Sequence, residues 1–312
     1  MANITSATSG NSNVGATWTG GSVPTSADNA IIQDTHTVTQ NAAHTFKSLR
    51  VETGGTWTAD GSNHLTLSGE NDSDFALQIV DGTYNHANGT VVINNGGGGI
   101  AHAAIQAGVG NSTTGLYDLT ISGGGTTCEI YGDTTIHRNM EAGGSETVLR
   151  GSLTVTGNLT INATLNTRFS STDKNLTVAG TTQVTGTLTC NSSAISLGTG
   201  LTSGWGLDIQ SGGTFNGGSA THTIGSIFAA GGGTRTITLS SGATTIDSKN
   251  TGNGYSINLA SGATFNHGSG TVTMTYAGNT LIQLSGGTLA FNTFTYNASG
   301  RTLELRSPMS CA

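Results

Sequence analysis

The sequence predicts an all-β fold: a right-handed parallel β-helix or β-solenoid of roughly a dozen irregular coils. Three observations predict it. Apolar residues alternate with polar ones throughout, as in Leu65/Leu67, Leu153/Val155, Leu176/Val178, Leu207/Ile209, Ile257/Leu259 and Leu303/Leu305. Glycine-rich turns separate these pairs, and no stretch shows a helical period. Beneath the alternation runs a repeat whose unit is near 25 residues.

The alternation is the mark of short strands with one face buried. The repeat is seen by comparing QIVDGTYNHANGTVVI (78–93), DIQSGGTFNGGSATHTI (208–224) and NLASGATFNHGSGTVTM (258–274). Each has an apolar strand, a turn, a Thr and an aromatic: Tyr84, Phe215 or Phe265. Nine residues later each has an apolar residue: Ile93, Ile224 or Met274. QLSGGTLAFNTFTY (283–296) is a partial fourth copy. The register is loose elsewhere, as expected where turns carry insertions.

The composition fits such a coil. Of 312 residues, 9% are charged, against roughly 25% in ordinary globular chains. There are 49 glycines, 2 prolines and three lysines. A coil stacks a thin row of Leu, Ile, Val or Phe over the same row in the next coil, so a small apolar fraction suffices. Outward Thr and Ser suit a pleated, half-wet surface. Gly and Asn accept the positive φ of tight corners.

The chain divides into residues 1–60, a cap or docking segment; 61–306, the solenoid repeats; and 307–312, a C-terminal tail. The first segment carries Trp18 and Pro24, read as structural: a large apolar surface, and a residue that removes a donor from an open edge. Near the other end Pro308 is expected to stop further strand addition. The opening MANITSATSGNSNVG has neither the basic region nor the apolar core of a secretory leader. Assembly in a cytoplasm, or a trimmed start, is the expectation.

The net charge of -7 comes without any basic patch, so no nucleic-acid partner is expected. No run of 18 apolar residues is present, so no membrane insertion is expected. Three widely spaced cysteines, Cys128, Cys190 and Cys311, do not make a disulfide framework or a CxxC zinc site.

Candidate chemistry is sparse. Glu70, Asp72 and Asp74 offer oxygen ligands at alternating positions, a cation site in principle but without the glycine and distal glutamate of an EF-hand loop. Glu129, Asp133, His137 and Arg138 are the one crowd of acid, imidazole and guanidinium, a binding or catalytic candidate set against an ordinary solvated coil. Tyr84, Trp205, Phe215, Tyr255, Phe265 and Tyr276 form either core rungs or an exposed stacking face for sugars. The repeated position of Tyr84, Phe215 and Phe265 favours core. No nucleophile triad, P-loop or dinucleotide fingerprint stands out, and no cofactor is expected.

Two resemblances add to this. Trp18, Gly20, Gly21, Val23, Pro24, Asp28, Ile31 and Val38, followed by Leu49, Val51 and Gly54, resemble the opening of eight-glycine-type domains of surface proteins. The SGGTFN-type repeats resemble those of β-helical phage virion proteins, of the tail-fibre, spike or decoration type, and of bacterial adhesins. The second resemblance implies a non-enzymatic structural component of a virus particle, made in the host cytoplasm. Its partners would be other virion proteins and further copies of itself, a trimer among them, with host surface glycans as a contact. Two alternatives stand beside it: a bacterial extracellular adhesin or filament subunit, and a polysaccharide lyase or hydrolase built on a β-helix.

Overall fold

The computed structural model describes residues 2–69, 75–94, 102–106, 115–123, 127–229 and 231–311. Apart from two 3-10 turns at Gly15–Thr17 and Thr19–Gly21, the regular structure of these residues is β-strand. The strands are short, two to five residues, and nearly all pair in parallel with a strand one coil away. The expected β-solenoid is the fold of the chain. It divides into two compact units, Met1–Thr154 and Val155–Ala312.

In the first unit, inward residues stack in columns that follow the alternation of the sequence. Ala30, Leu49, Leu77, Ile105, Ile130 and Leu149 lie opposite one another in successive coils. Each is fully buried. On a second face Phe46, Leu67, Ile93, Ile121 and Ala142 do the same. A third, narrower face stacks Val38, Trp57 and Tyr84. Burying a side chain of this size contributes roughly 1.5–3 kcal/mol, so three columns per coil sustain the unit with few apolar residues.

Residues 1–60 take part in this stacking. Asn3–Thr5, Asn29–Ile32 and Ser48–Val51 are successive strands of one parallel ladder. Trp18 is buried; its indole N–H donates to the Ser12 carbonyl at 2.8 Å and its ring meets the edge of Phe46. Pro24 is buried too, in the connection before Asn29 rather than on a strand.

The second unit is built the same way. Leu165, Leu188, Phe215, Ile237 and Phe265 form one column, at steps of 23, 27, 22 and 28 residues. Ala229, Leu259 and Leu284 form part of another, and Leu197, Ile224, Ile246, Met274 and Tyr296 run along a third face. Phe215 is fully buried, whereas Phe265 is half-buried, with Phe291 edge-on at 5.5 Å.

Two readings from the sequence need correction. Tyr84 is not the counterpart of Phe215 and Phe265. It lies on the ladder Gly10–Asn11, Thr37–Thr39, Thr56–Thr58, Thr83–Asn85, which is a different sheet. The repeat marks a type of corner followed by a strand, and that pair recurs on more than one face. Pro308 does not stop strand formation either. Its carbonyl accepts from Leu289 N–H, and Met309–Cys311 then pairs in parallel with Leu289–Phe291.

Outward positions carry polar columns. Thr164, Thr187, Thr214, Thr236 and Thr264 stand in register, one per coil. Inside the first unit Ser48 Oγ donates to Asn29 Oδ1 and Asn29 Nδ2 to Asn3 Oδ1, at 2.8 and 2.7 Å. Such chains satisfy buried polar groups across coils.

Candidate functional site

The crowd formed by Glu129, Asp133, His137 and Arg138 in sequence is dispersed by the coil. Glu129 lies on the strand Thr127–Tyr131, whereas His137 and Arg138 follow Thr134–Ile136 on the next face. Glu129, Asp133 and Arg138 each find a partner one coil away, and His137 meets an imidazole two coils away.

Glu129 is buried, 4% exposed, and meets Arg150 through two oxygens at 2.7 and 2.8 Å. Tyr131 O–H donates to the same carboxylate at 2.9 Å. The Arg150 guanidinium also lies 4.6 Å from the Tyr131 ring centroid, and Phe75 stands edge-on to that ring. This is a bidentate, charge-assisted pair sandwiched on an aromatic.

Arg138 forms a second pair of the same design with Asp118. Its Nε donates to Asp118 Oδ1 at 2.8 Å, Nη2 meets Oδ2, and the guanidinium lies 4.8 Å from the Tyr117 ring. Asp118, 6% exposed, also accepts the Asn139 N–H at 3.0 Å. Asp133 is exposed and accepts Ser152 N–H at 2.8 Å. His137 packs at 5.0 Å against His86, which stacks on Tyr117 at 5.4 Å. Burial, then the neighbouring His137, hold His86 below the ordinary imidazole range.

A general acid or base needs a carboxyl that can exchange a proton with a substrate. Glu129 and Asp118 instead spend their oxygens on guanidinium groups, and Asp133 spends one on a backbone N–H. These contacts brace neighbouring coils. The sequence offered a signal for the two pairs that went unread: Asp118 precedes Arg138 by 20 residues and Glu129 precedes Arg150 by 21, one coil in each case.

Glu70, Asp72 and Asp74 lie outside the described residues. Among the described residues no three His, Cys, Asp or Glu side chains come together as a metal cluster. Cys128 and Cys190 are buried and Cys311 exposed, all unpaired.

The aromatics divide between core and surface. Tyr84 and Phe215 are core. Trp205, 9% exposed, stacks on Phe228 at 4.7 Å. Tyr255 and Tyr276 are half-exposed; Tyr255 O–H donates to Gln283 and accepts from Arg306.

Arg235 is a functional-looking residue that sequence reasoning passed over. It is 3% exposed, at an inward position beside Ile237 on the strand Arg235–Thr238. Its guanidinium donates to the carbonyls of Ile209, Gly231, Gly232 and Gly233 at 2.8–3.0 Å. Gly231 and Gly233 have φ of +101° and +95°, a conformation that turns their carbonyls inward and that side-chain-bearing residues rarely adopt.

Fold and site together define a repetitive parallel β-solenoid in which the pairs Asp118–Arg138 and Glu129–Arg150 brace one coil to the next. No family model, no curated protein and no solved structure matches the chain.

Proposed function

We propose that the chain is a non-enzymatic structural component of a virus particle, of the fibre, spike or capsid-decoration kind. The observation that carries this is the use made of its few charges. The acids around the sequence's densest chemical cluster face Arg or a backbone N–H across coils, which serves mechanical cohesion. The likeness of the SGGTFN-type repeats to virion proteins supports the same reading. In it, the partners are other virion proteins and further copies of the chain, a trimer being the arrangement that the resemblance implies.

Antibody labelling of purified virus particles under the electron microscope tests the proposal. Label on the particle, at a fixed position, is the expected result. Label confined to a cell envelope would replace the proposal with the adhesin reading. Cleavage of a polysaccharide by the purified chain, lost in Asp133→Asn, would replace it with the enzyme reading.

A further inference from the structure

In the second unit one corner of the coil is short in some coils and long in others. The connection from Leu176–Val178 to Thr182–Val184 is three residues long, and that from His222–Ile224 to Ile227–Ala229 is only two. At the same corner, residues 198–206 and 247–254 make loops of nine and eight residues, and 275–279 one of five. Insertions in a solenoid collect on one face, and that face is commonly the binding face.

The two longest loops flank the two-residue corner and reach over it to each other. Gly200 N–H donates to Asp247 Oδ1 at 3.4 Å, and Thr251 O–H donates to the Thr202 carbonyl. They are joined although they belong to coils two apart. Under this bridge lies a cleft of about 320 Å³, lined by Leu201, Thr202, Asp247, Thr251, Thr275 and Tyr276 among others. Lys249 Nζ donates to the Asn279 carbonyl at 2.7 Å and lies 5.3 Å from the Tyr276 ring centroid, fixing that ring at the rim.

We propose that this cleft binds a single neutral sugar ring. Its volume is at the small end of ligand pockets, roughly 300–1,000 Å³, and suits one ring rather than a chain. The Asp247 carboxylate uses Oδ1 for Gly200 and Ser248, while Oδ2 carries no hydrogen bond among the described residues. It is an acceptor for adjacent hydroxyls, which are donors a polyol supplies. Tyr276 and Leu201 offer apolar surface to the C–H face of the ring. Among the described residues Asp247 is the one charged residue lining the cleft, and the Lys249 ammonium at the rim is engaged by the Asn279 carbonyl and the Tyr276 ring, so the cleft offers an acceptor for hydroxyls rather than a free cation for an anion. One carboxylate falls short of the six to eight oxygens of a calcium site.

The inference does not depend on the virion proposal, since particle labelling and sugar binding can each fail alone. The test is saturation-transfer NMR on the full chain, using methyl glycosides of glucose, galactose, mannose and N-acetylglucosamine as probes. Transfer to the ring protons of at least one glycoside is expected, with weak affinity. A change in Trp205 emission should accompany it, since Trp205 belongs to the first loop.

Asp247→Asn keeps an oxygen for Gly200 N–H, and Tyr276→Ala alters a different loop. Each should weaken binding about tenfold or more while leaving the circular dichroism of the chain unchanged. No transfer to any of the four probes would overturn the proposal, as would binding that survives in both variants. If Asp247→Asn loosens its loop, seen as altered Trp205 emission without sugar, Tyr276→Ala alone decides.

Discussion

Replacing Arg235 should unfasten the second unit locally. The guanidinium makes four hydrogen bonds to carbonyls, and hydrogen bonds to a charged group contribute about 1.5–3 kcal/mol each when nothing replaces them. Three of the acceptors, Gly231, Gly232 and Gly233, sit on an exposed loop, so water takes over their carbonyls at little cost. The Ile209 carbonyl receives the Arg235 Nε inside the unit, and losing that donor costs about 1–3 kcal/mol. Releasing the loop adds to this, giving about 2–4 kcal/mol for Arg235→Met, which keeps the apolar stem. Arg235→Lys should cost nearly as much. An ammonium cannot reach four carbonyls held in the plane of a guanidinium, and it remains charged and poorly compensated.

Guanidinium unfolding of the full chain, followed by circular dichroism, measures the loss. Because repeat arrays can unfold in parts, hydrogen exchange should accompany it. Gly212 N–H donates to Thr234 O and Thr236 N–H to Gly213 O, so these two amides should exchange faster in both variants. A stability within about 0.5 kcal/mol of the parent, inside the range of an ordinary surface substitution, with both amides equally protected, would refute this reasoning.

The remaining predictions concern packing, thiols and pH. Phe215→Ala should cost about 3–5 kcal/mol because the ring is fully buried between Leu188 and Ile237, and Phe265→Ala about half of that because its ring is half-buried; thermal unfolding orders the two. Iodoacetamide under native conditions should label Cys311 alone, since burial pushes the Cys128 thiol up to about 12 and the Cys190 thiol higher still; mass spectrometry of the intact chain counts the adducts. Burial holds His44, His86 and His222 below the ordinary imidazole range, so the unfolded chain binds more protons than the folded one as pH falls from about 6.5. Stability should therefore be full above that pH and decline below it, a trend that denaturant titrations at neutral and mildly acid pH would contradict if the midpoint rose on acidification.

The periodic part of this fold was legible because alternation is a local property. Leu207/Ile209 and Ile257/Leu259 each show which side faces in without knowledge of any other coil. Which residue lies over which was less legible. Ile209 and Leu259 are 50 apart in sequence, and the coil between them contributes Ala229, too small to catch in an apolar pattern. The error over Tyr84 has the same origin: corner chemistry repeats, and a similar corner followed by an aromatic serves different faces. Arg235 escaped notice because its strand position demanded an apolar residue. Its stem satisfies that demand while its head satisfies a glycine loop that becomes visible only in three dimensions.

Pairs such as Asp118–Arg138 and Glu129–Arg150 show why local crowding in sequence misleads in a coiled fold. Neighbours along a strand point to opposite faces, and a corner separates residues only a few positions apart. Glu129 and His137 therefore part company, while residues 20 or 21 apart meet. In a solenoid the informative distance for chemistry is one coil, not one turn of chain. The same rule explains the cleft beside Asp247. Its loops begin at residues 198 and 247, far apart in sequence, and they meet because the intervening coil turns its corner in two residues. A short corner between two long ones is thus a device for making a concavity on a solenoid, and it can be sought in sequence by measuring the gaps between alternating pairs.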